Sequence, residues 1–100
     1  MEQYSVKLLG RARRDLDGIY AYIAKALLEP ETAISLVEKI EAQILSLGSM
    51  PYRCPERRRG AYGNRGYREL MVGNYTAIYR IDEVENQVIV VTVRYSRSNF

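Results

Sequence analysis

The stretch YRELMVGNYTAIYRIDEVENQVIVVTVRY, residues 67–95, decides the fold prediction. β-Branched and aromatic residues dominate it, and two turn signals divide it: Gly73-Asn74 and the polar segment 82–86. We therefore predict three antiparallel strands in a meander, at residues 67–72, 75–81 and 87–95. If Gly73-Asn74 closes a two-residue hairpin, residues whose numbers sum to 147 lie opposite each other.

This register divides the side chains of the first two meander strands between two sheet faces. One face is nearly all apolar, has Arg68 at its edge and is predicted to meet the helices. It comprises Leu70, Val72, Tyr75, Ala77, Tyr79 and Ile81. The other face is mixed and is predicted to stay open to water or a partner, unless a bulge inverts part of the assignment. It comprises Tyr67, Glu69, Met71, Thr76, Ile78 and Arg80.

The first half of the chain predicts a short strand and two helices. Residues 4–8 alternate between apolar and polar, and from Arg11 the apolar residues recur every three or four positions. The apolar face of this first helix comprises Ala12, Leu16, Ile19, Tyr20, Ile23 and Leu27. Pro30 suits the first turn of a second helix, which runs to Gly48. We predict a single α+β domain, residues 1–100, with an N-terminal strand, an antiparallel helical hairpin packed on one sheet face, and the meander.

Composition narrows the possible functions. The chain has 100 residues, one cysteine and no histidine, so an internal disulfide and the usual zinc sites cannot form. We expect no metal and no cofactor, and regard Cys54 as incidental. The missing histidine removes the commonest acid-base group, which counts against a hydrolytic enzyme. With no signal peptide and no membrane span in the sequence, we expect a cytoplasmic protein that does not bind membranes.

Basic charge is concentrated in the second half. Residues 1–50 carry six Lys or Arg against seven Asp or Glu, whereas residues 51–100 carry nine Arg against five acids. Three of these arginines, Arg57, Arg58 and Arg59, lie in a connection rich in Gly and Pro at residues 48–66. Arginine suits planar contact with phosphate or carboxylate, so the sequence predicts a nucleic acid or an acidic protein surface as partner.

Several pieces together resemble one family. They are Ile19, Tyr22 and Ile23 in the first helix, the basic connection, the string 67–75 followed by Tyr79-Arg80, and a Val-rich last strand ending in residues 94–97. The chain is similar to the RelE/ParE toxins of type II toxin-antitoxin, or plasmid stabilisation, modules over nearly its whole length. The resemblance implies a growth-inhibiting toxin with a cognate antitoxin protein as partner.

The two branches of this superfamily differ in activity. Comparing the functional positions of the nucleases with this sequence, residue by residue, favours the ParE-like branch. RelE-like members cut messenger RNA on the ribosome, whereas ParE-like members poison DNA gyrase. The nucleases place an arginine directly after the tyrosine that opens the third strand, and here that position is Thr76. They place two basic residues, separated by one residue, on the preceding strand. Here the matching positions are Arg68 and Leu70. Half of the basic set is therefore missing.

We thus expect a gyrase-binding toxin without a catalytic centre of its own. The alternatives are a ribosome-dependent endoribonuclease acting on mRNA and a silent regulator that only binds its antitoxin. The predicted target-binding residues are Arg57, Arg58, Arg59, Arg68, Arg80, Arg94 and Arg97. Single changes at the first three are expected to weaken toxicity gradually. For a nuclease, the candidate catalytic residues are Glu56, Arg68, Arg80, Tyr95 and Arg97.

Overall fold

The computed structural model describes residues 3–98 and 100. Strand β1 (Ser5–Leu8) is followed by helix α1 (Gly10–Ala21), a π-helical turn (Tyr22–Ala26) and helix α2 (Pro30–Ser46). A 3₁₀ turn (Pro51–Arg53) lies in the connection to the strands β2 (Arg68–Val72), β3 (Tyr75–Asp82) and β4 (Gln87–Tyr95). The predicted α+β order is confirmed, and the element bounds differ from the prediction by one or two residues at most ends.

Neither helix in the described part of the chain is long and apolar enough to cross a membrane.

The four strands form one sheet in the order β1-β4-β3-β2. The meander β2-β3-β4 is antiparallel, and β1 adds to β4 in parallel. Val72 lies opposite Tyr75 and Leu70 opposite Ala77, so the predicted register of the first hairpin is confirmed. Gly73 opens the turn with a φ of 57°, a conformation that glycine adopts without steric cost.

One irregularity interrupts the sheet. Ile78 lies opposite Thr92, whereas Tyr79 lies opposite Val90, so β4 carries one additional residue, Val91. A bulge of this kind bends the strand and increases its local twist. Because it lies in β4, the face assignment predicted for β2 and β3 is unchanged.

The sheet face toward α1 and α2, called here the helix face, bears the main core. The predicted residues Leu70, Val72, Ala77 and Tyr79 are buried in it, and Tyr75 and Ile81 pack against it. The helices contribute Ala12, Leu16, Ile40, Ile44 and Leu47. Two residues predicted for the apolar side of the first helix are instead exposed, Tyr20 and Leu27. The π-helical turn alters the helical phase ahead of Leu27, which explains its different orientation.

The opposite sheet face, called here the second face, is not open as predicted. Ile78, Ile89, Val91 and Phe100 form a second buried cluster there. Tyr62 and Tyr67 from the connection pack against this cluster. Ile78, predicted for a face open to water or a partner, is therefore covered by the chain itself, whereas Met71 on the edge strand of the same face is exposed as predicted.

Candidate functional site

The connection on the second face is held by Arg57. Only 3% of its side chain is exposed, and its Nη1 donates to Glu69 Oε2 at 2.7 Å. Its Nε donates to the carbonyl oxygen of Arg59 at 3.1 Å, and its Nη2 donates to that of Phe100 at 3.3 Å. This guanidinium, predicted to bind a target, therefore forms bonds inside the fold.

Phe100 is clamped between two arginines. The guanidinium carbon of Arg57 lies 4.4 Å from its ring centroid and that of Arg94 lies 5.2 Å away. Gly60, with a φ of 73°, passes so close that a Cβ there would lie 1.8 Å from the Phe100 carbonyl oxygen. Only glycine fits at this approach, and together these contacts close the second face.

The neighbours of Arg57 in sequence behave differently. Arg58 is exposed over 76% of its side chain and lies 3.9 Å from the Glu56 carboxylate, a distance typical of a weak surface pair. Arg59 is also exposed. Of the other predicted target-binding residues, Arg80 on β3 and Arg97 after β4 are exposed as well.

Arg68 and Arg94 are half-buried and have structural contacts. Arg68 Nη1 donates to the carbonyl oxygen of Cys54 at 2.5 Å, and its guanidinium carbon lies 5.1 Å from the Tyr52 ring centroid. Arg94 Nε donates to Thr92 Oγ1 at 3.2 Å in addition to its contact with Phe100. The seven predicted arginines thus separate into four that are exposed and three that help to hold the fold.

The residues proposed for a nuclease do not converge. Glu56 and Arg68 are bridge partners at the edge of β2. Tyr95 lies opposite Tyr75, and the two rings meet edge-on with centroids 5.8 Å apart on the side of the helices. Arg80 lies on the same sheet face as Ile78, which is the second face. Arg80 and Tyr95 therefore project from opposite faces of the sheet.

Thr76, the position that carries an arginine in the nucleases, is only 2% exposed. Its Oγ1 lies 2.7 Å from the hydroxyl oxygen of Ser96, and either group can be the donor. A buried threonine hydroxyl at this position offers no charged donor to a phosphate.

A groove of about 1010 Å³ lies between the hairpin and the ends of β3 and β4. Ile19, Ile23 and Leu36 line it with apolar surface, and Tyr22, Tyr75 and Tyr95 contribute rings. Burial raises the pKa of the Tyr75 hydroxyl. Three arginines also line the groove: Arg11, Arg14 and Arg94.

Three exposed apolar residues lie at or beside this groove. Tyr22 is 59% exposed, Leu27 48% and Leu28 80%. Leu28 has a φ of 55°, a left-handed conformation that is unfavourable for a residue with a Cβ. Leu28 follows the π-helical turn. A π-helical turn and a left-handed residue with a Cβ are both common at functional sites. The predictions missed this region, because a π-helical turn has no periodic signature in sequence.

Asp15 was also missed. After Leu8 the chain leaves the sheet, and among residues 3–98 and 100 no strand pairs beyond Val90 with the edge of β4 that faces away from β3. Asp15 Oδ2 accepts from the Val93 N–H at 3.0 Å and from Thr92 Oγ1 at 2.5 Å, which binds α1 to this edge. An acidic residue next to Leu16 on the buried side of a helix is the only sequence signal, and it is weak.

A family model described as the ParE toxin of the type II toxin-antitoxin system parDE matches residues 6–100. The chain belongs to this family. It is therefore a type II toxin of the RelE/ParE superfamily. The prediction that it resembles the ParE-like branch is confirmed. No curated protein sequence matches the toxin significantly.

Solved structures share the fold. The toxin superposes on a chain of the chromosomal ParDE system from P. aeruginosa with a TM-score of 0.77 and 23% identity, covering 93% of this chain and 96% of that one. For the RelBE2 toxin-antitoxin complex from Mycobacterium tuberculosis, the TM-score is 0.64, the identity 25% and the coverage 95% and 93%. For a YoeB/ParE toxin from Agrobacterium tumefaciens, the values are 0.61, 18%, 91% and 96%.

Proposed function

We propose that this toxin inhibits bacterial growth by binding DNA gyrase and cleaves no nucleic acid itself. The observation that carries the proposal is the state of Thr76, which is buried and bonded to Ser96 at the position where the nucleases carry an arginine. Losing one charged donor from a preorganised site typically costs on the order of 100-fold in rate.

The placement of the remaining candidates supports the same proposal. RNA cleavage by 2′-hydroxyl attack needs a proton acceptor, a proton donor and stabilisation of phosphorane charge at one point. Glu56 lies at the edge of β2, and Tyr95 packs on Tyr75 on the helix side. A single substrate phosphate cannot reach both residues, since Glu56 lies in the row of Arg68 and Tyr95 lies in the row of Val72, four residues or about 13 Å further along the sheet.

A direct comparison of the two targets tests this proposal. The purified full chain is added to gyrase with supercoiled plasmid and, separately, to translating ribosomes with a defined message. We expect inhibited supercoiling or trapped cleaved DNA in the first reaction and intact message in the second. Message cut on the ribosome, with gyrase unaffected at matched concentration, would reverse the assignment to the RelE mechanism.

We also propose that a cognate antitoxin covers the groove. The ParDE and RelBE2 relatives are named as toxin-antitoxin assemblies, and this toxin exposes the apolar side chains of Tyr22 and Leu27 at the groove. An amphipathic segment fits, with apolar side chains against Ile23 and Leu36 and acidic ones toward Arg14 and Arg94. The second face needs no such cover, because Phe100 and the connection close it.

A pair of matched variants tests the groove. Leu27→Asp places a carboxylate at the groove, whereas Leu45→Asp places one on an exposed position of α2 outside the groove lining. We expect Leu27→Asp to weaken antitoxin binding at least 30-fold, since a desolvated interface position costs about 2 kcal/mol or more, and Leu45→Asp to leave it within twofold. Equal effects of the two variants, measured by calorimetry with the antitoxin, would place the interface elsewhere.

A further inference from the structure

We propose that a band of cations on the second face binds the phosphate backbone of duplex DNA. The cationic band consists of Lys7 and Arg80 on the sheet and of Arg59 on the connection. The inference rests on the proposed function in one respect: gyrase holds duplex DNA, so a toxin bound there can contact the protein and its DNA together. Lys7 is a new candidate, since it lies in the half of the chain without excess positive charge.

The sheet register places Lys7 and Arg80 on one row. Lys7 pairs with Ile89 across the parallel ladder, and Arg80 pairs with Ile89 across the antiparallel ladder. Paired residues project from the same face, and Ile89 belongs to the buried cluster of the second face. The two exposed cations therefore flank Ile89 with backbones two strand spacings, or about 10 Å, apart.

The connection adds the third cation. Arg57 stacks on Phe100 and bonds to Glu69, so the chain at this point lies against the second face. Arg59 follows two residues later and is exposed. Because Arg57 also donates to the carbonyl oxygen of Arg59, the backbone that carries the Arg59 side chain is fixed before any ligand binds. Arg58 is not part of the band, since its side chain lies near Glu56, the bridge partner of Arg68.

The cations of the band form no ion pair within the fold. Within residues 3–98 and 100, this holds for Lys7, Arg59 and Arg80. Asp82 shares the second face with Arg80, and its Oδ1 accepts from the backbone N–H groups of Val84 and Glu85. The hairpin, which packs on the other sheet face, carries six acidic residues against five basic ones, so a polyanion is attracted more to the cations of the second face than to the hairpin.

The lack of exposed apolar anchors favours DNA over an acidic protein. Protein interfaces depend on a few large apolar or aromatic side chains at their centre. Among the described strand residues, Met71 is the only large apolar side chain exposed on the second face, and it lies at the far end of β2 from the Arg80 row. Tyr62 and Tyr67 meet edge-on and pack against the cluster, so they do not offer ring faces to unpaired bases. Cations without anchors are typical of phosphate contacts on a duplex.

The test is the salt dependence of binding to a fluorescent DNA duplex of about 20 base pairs, measured by anisotropy with the full chain. The double variant Lys7→Gln, Arg80→Gln is compared with Arg13→Gln, Lys39→Gln, which removes the same two residue types from exposed positions on the hairpin. Each lost phosphate contact lowers the slope of log K against log salt by about 0.9. We expect the band variant to lose about 2 in slope and roughly 50-fold in affinity at about 0.1 M salt, and the hairpin variant to match the wild type.

The outcomes separate this inference from the proposed function. Equal DNA binding by both double variants, or a wild-type slope near zero, overturns the inference even if the toxin poisons gyrase. If the band variant loses affinity for gyrase in the absence of DNA, the band binds an acidic protein surface and the inference is wrong. Salt-dependent DNA binding that needs the band, in a toxin that leaves gyrase active, supports the inference and defeats the proposed function.

Discussion

On the helix face, the sheet packs against α1 and α2 through one continuous apolar cluster, whereas on the second face it is closed by a connection, an arginine and Phe100. The first closure depends on many interchangeable apolar contacts. The second depends on a few directional bonds from Arg57. We infer that single substitutions distinguish the two faces: the second face is sensitive at one or two residues, and the helix face distributes its stability over many.

The largest expected effect is at Arg57. Arg57→Ala leaves the Glu69 carboxylate, itself only 22% exposed, without its partner and removes one side of the Phe100 clamp. Breaking a largely buried ion pair costs about 3 kcal/mol, so we expect the free energy of unfolding in urea to fall by about that amount. Arg58→Ala is the control and should change it by less than about 0.5 kcal/mol.

This pair also sharpens the site prediction. If Arg57→Ala and Arg58→Ala weakened toxicity equally while both proteins kept wild-type stability, the division into a structural and an exposed arginine would be wrong. The gradual loss of toxicity expected for the arginine run applies to Arg58 and Arg59, while a loss at Arg57 should follow the loss of folded protein.

The second expected effect is at Phe100. Phe100→Ala uncovers Ile78, Ile89 and Val91, and removing a buried phenyl ring costs about 2 kcal/mol. Because Arg57 and Phe100 act as one unit, the double variant should be less destabilised than the sum of the single variants. Strict additivity in urea denaturation would contradict the clamp. Phe100→Leu, which keeps the apolar volume, should recover most of the stability.

The periodic parts of the chain were predictable and the closure of the second face was not. Alternation along β3 and the Gly73-Asn74 turn define both the register and the residues that face the helices. Residues 57–66 and Phe100 have no period, so nothing local indicates that they fold over Ile78. Position in sequence also could not separate Arg57 from Arg58, because their exposure depends on Glu69, which lies twelve residues from Arg57.

A smaller effect is expected on the helix face, at Tyr79. Its hydroxyl donates to the carbonyl oxygen of Pro51 at 2.6 Å, so Tyr79→Phe leaves a buried acceptor without a donor and should cost about 1 kcal/mol. Burial raises the pKa of the Tyr79 hydroxyl above its unfolded value of about 10. The stabilisation from the neutral phenol is therefore complete below about pH 10 and is lost as the pH rises through the folded pKa.

Denaturation at several pH values tests whether the stabilisation from the Tyr79 hydroxyl is lost at high pH. The difference in stability between wild type and Tyr79→Phe should be constant from about pH 7 to 9 and should shrink above about pH 10. Tyr20→Phe, at an exposed ring of α1, is the control. A difference that grew with pH above 10 would show that the hydroxyl is stabilised in its ionised form instead.

The smallest expected effect is a gain in stability at the groove, where Leu28 has a φ of 55° and is 80% exposed. The left-handed conformation costs a residue with a Cβ roughly 1–2 kcal/mol, and glycine avoids this cost but loses more chain entropy on folding. Leu28→Gly should therefore stabilise the toxin by about 0.5 kcal/mol while weakening antitoxin binding, because the exposed side chain is lost from the proposed interface. Leu28→Ala removes the same side chain but keeps the strain, so it should weaken binding without the gain in stability. If Leu28→Gly stabilised the toxin and left antitoxin affinity unchanged, the strain at Leu28 would have no role in binding.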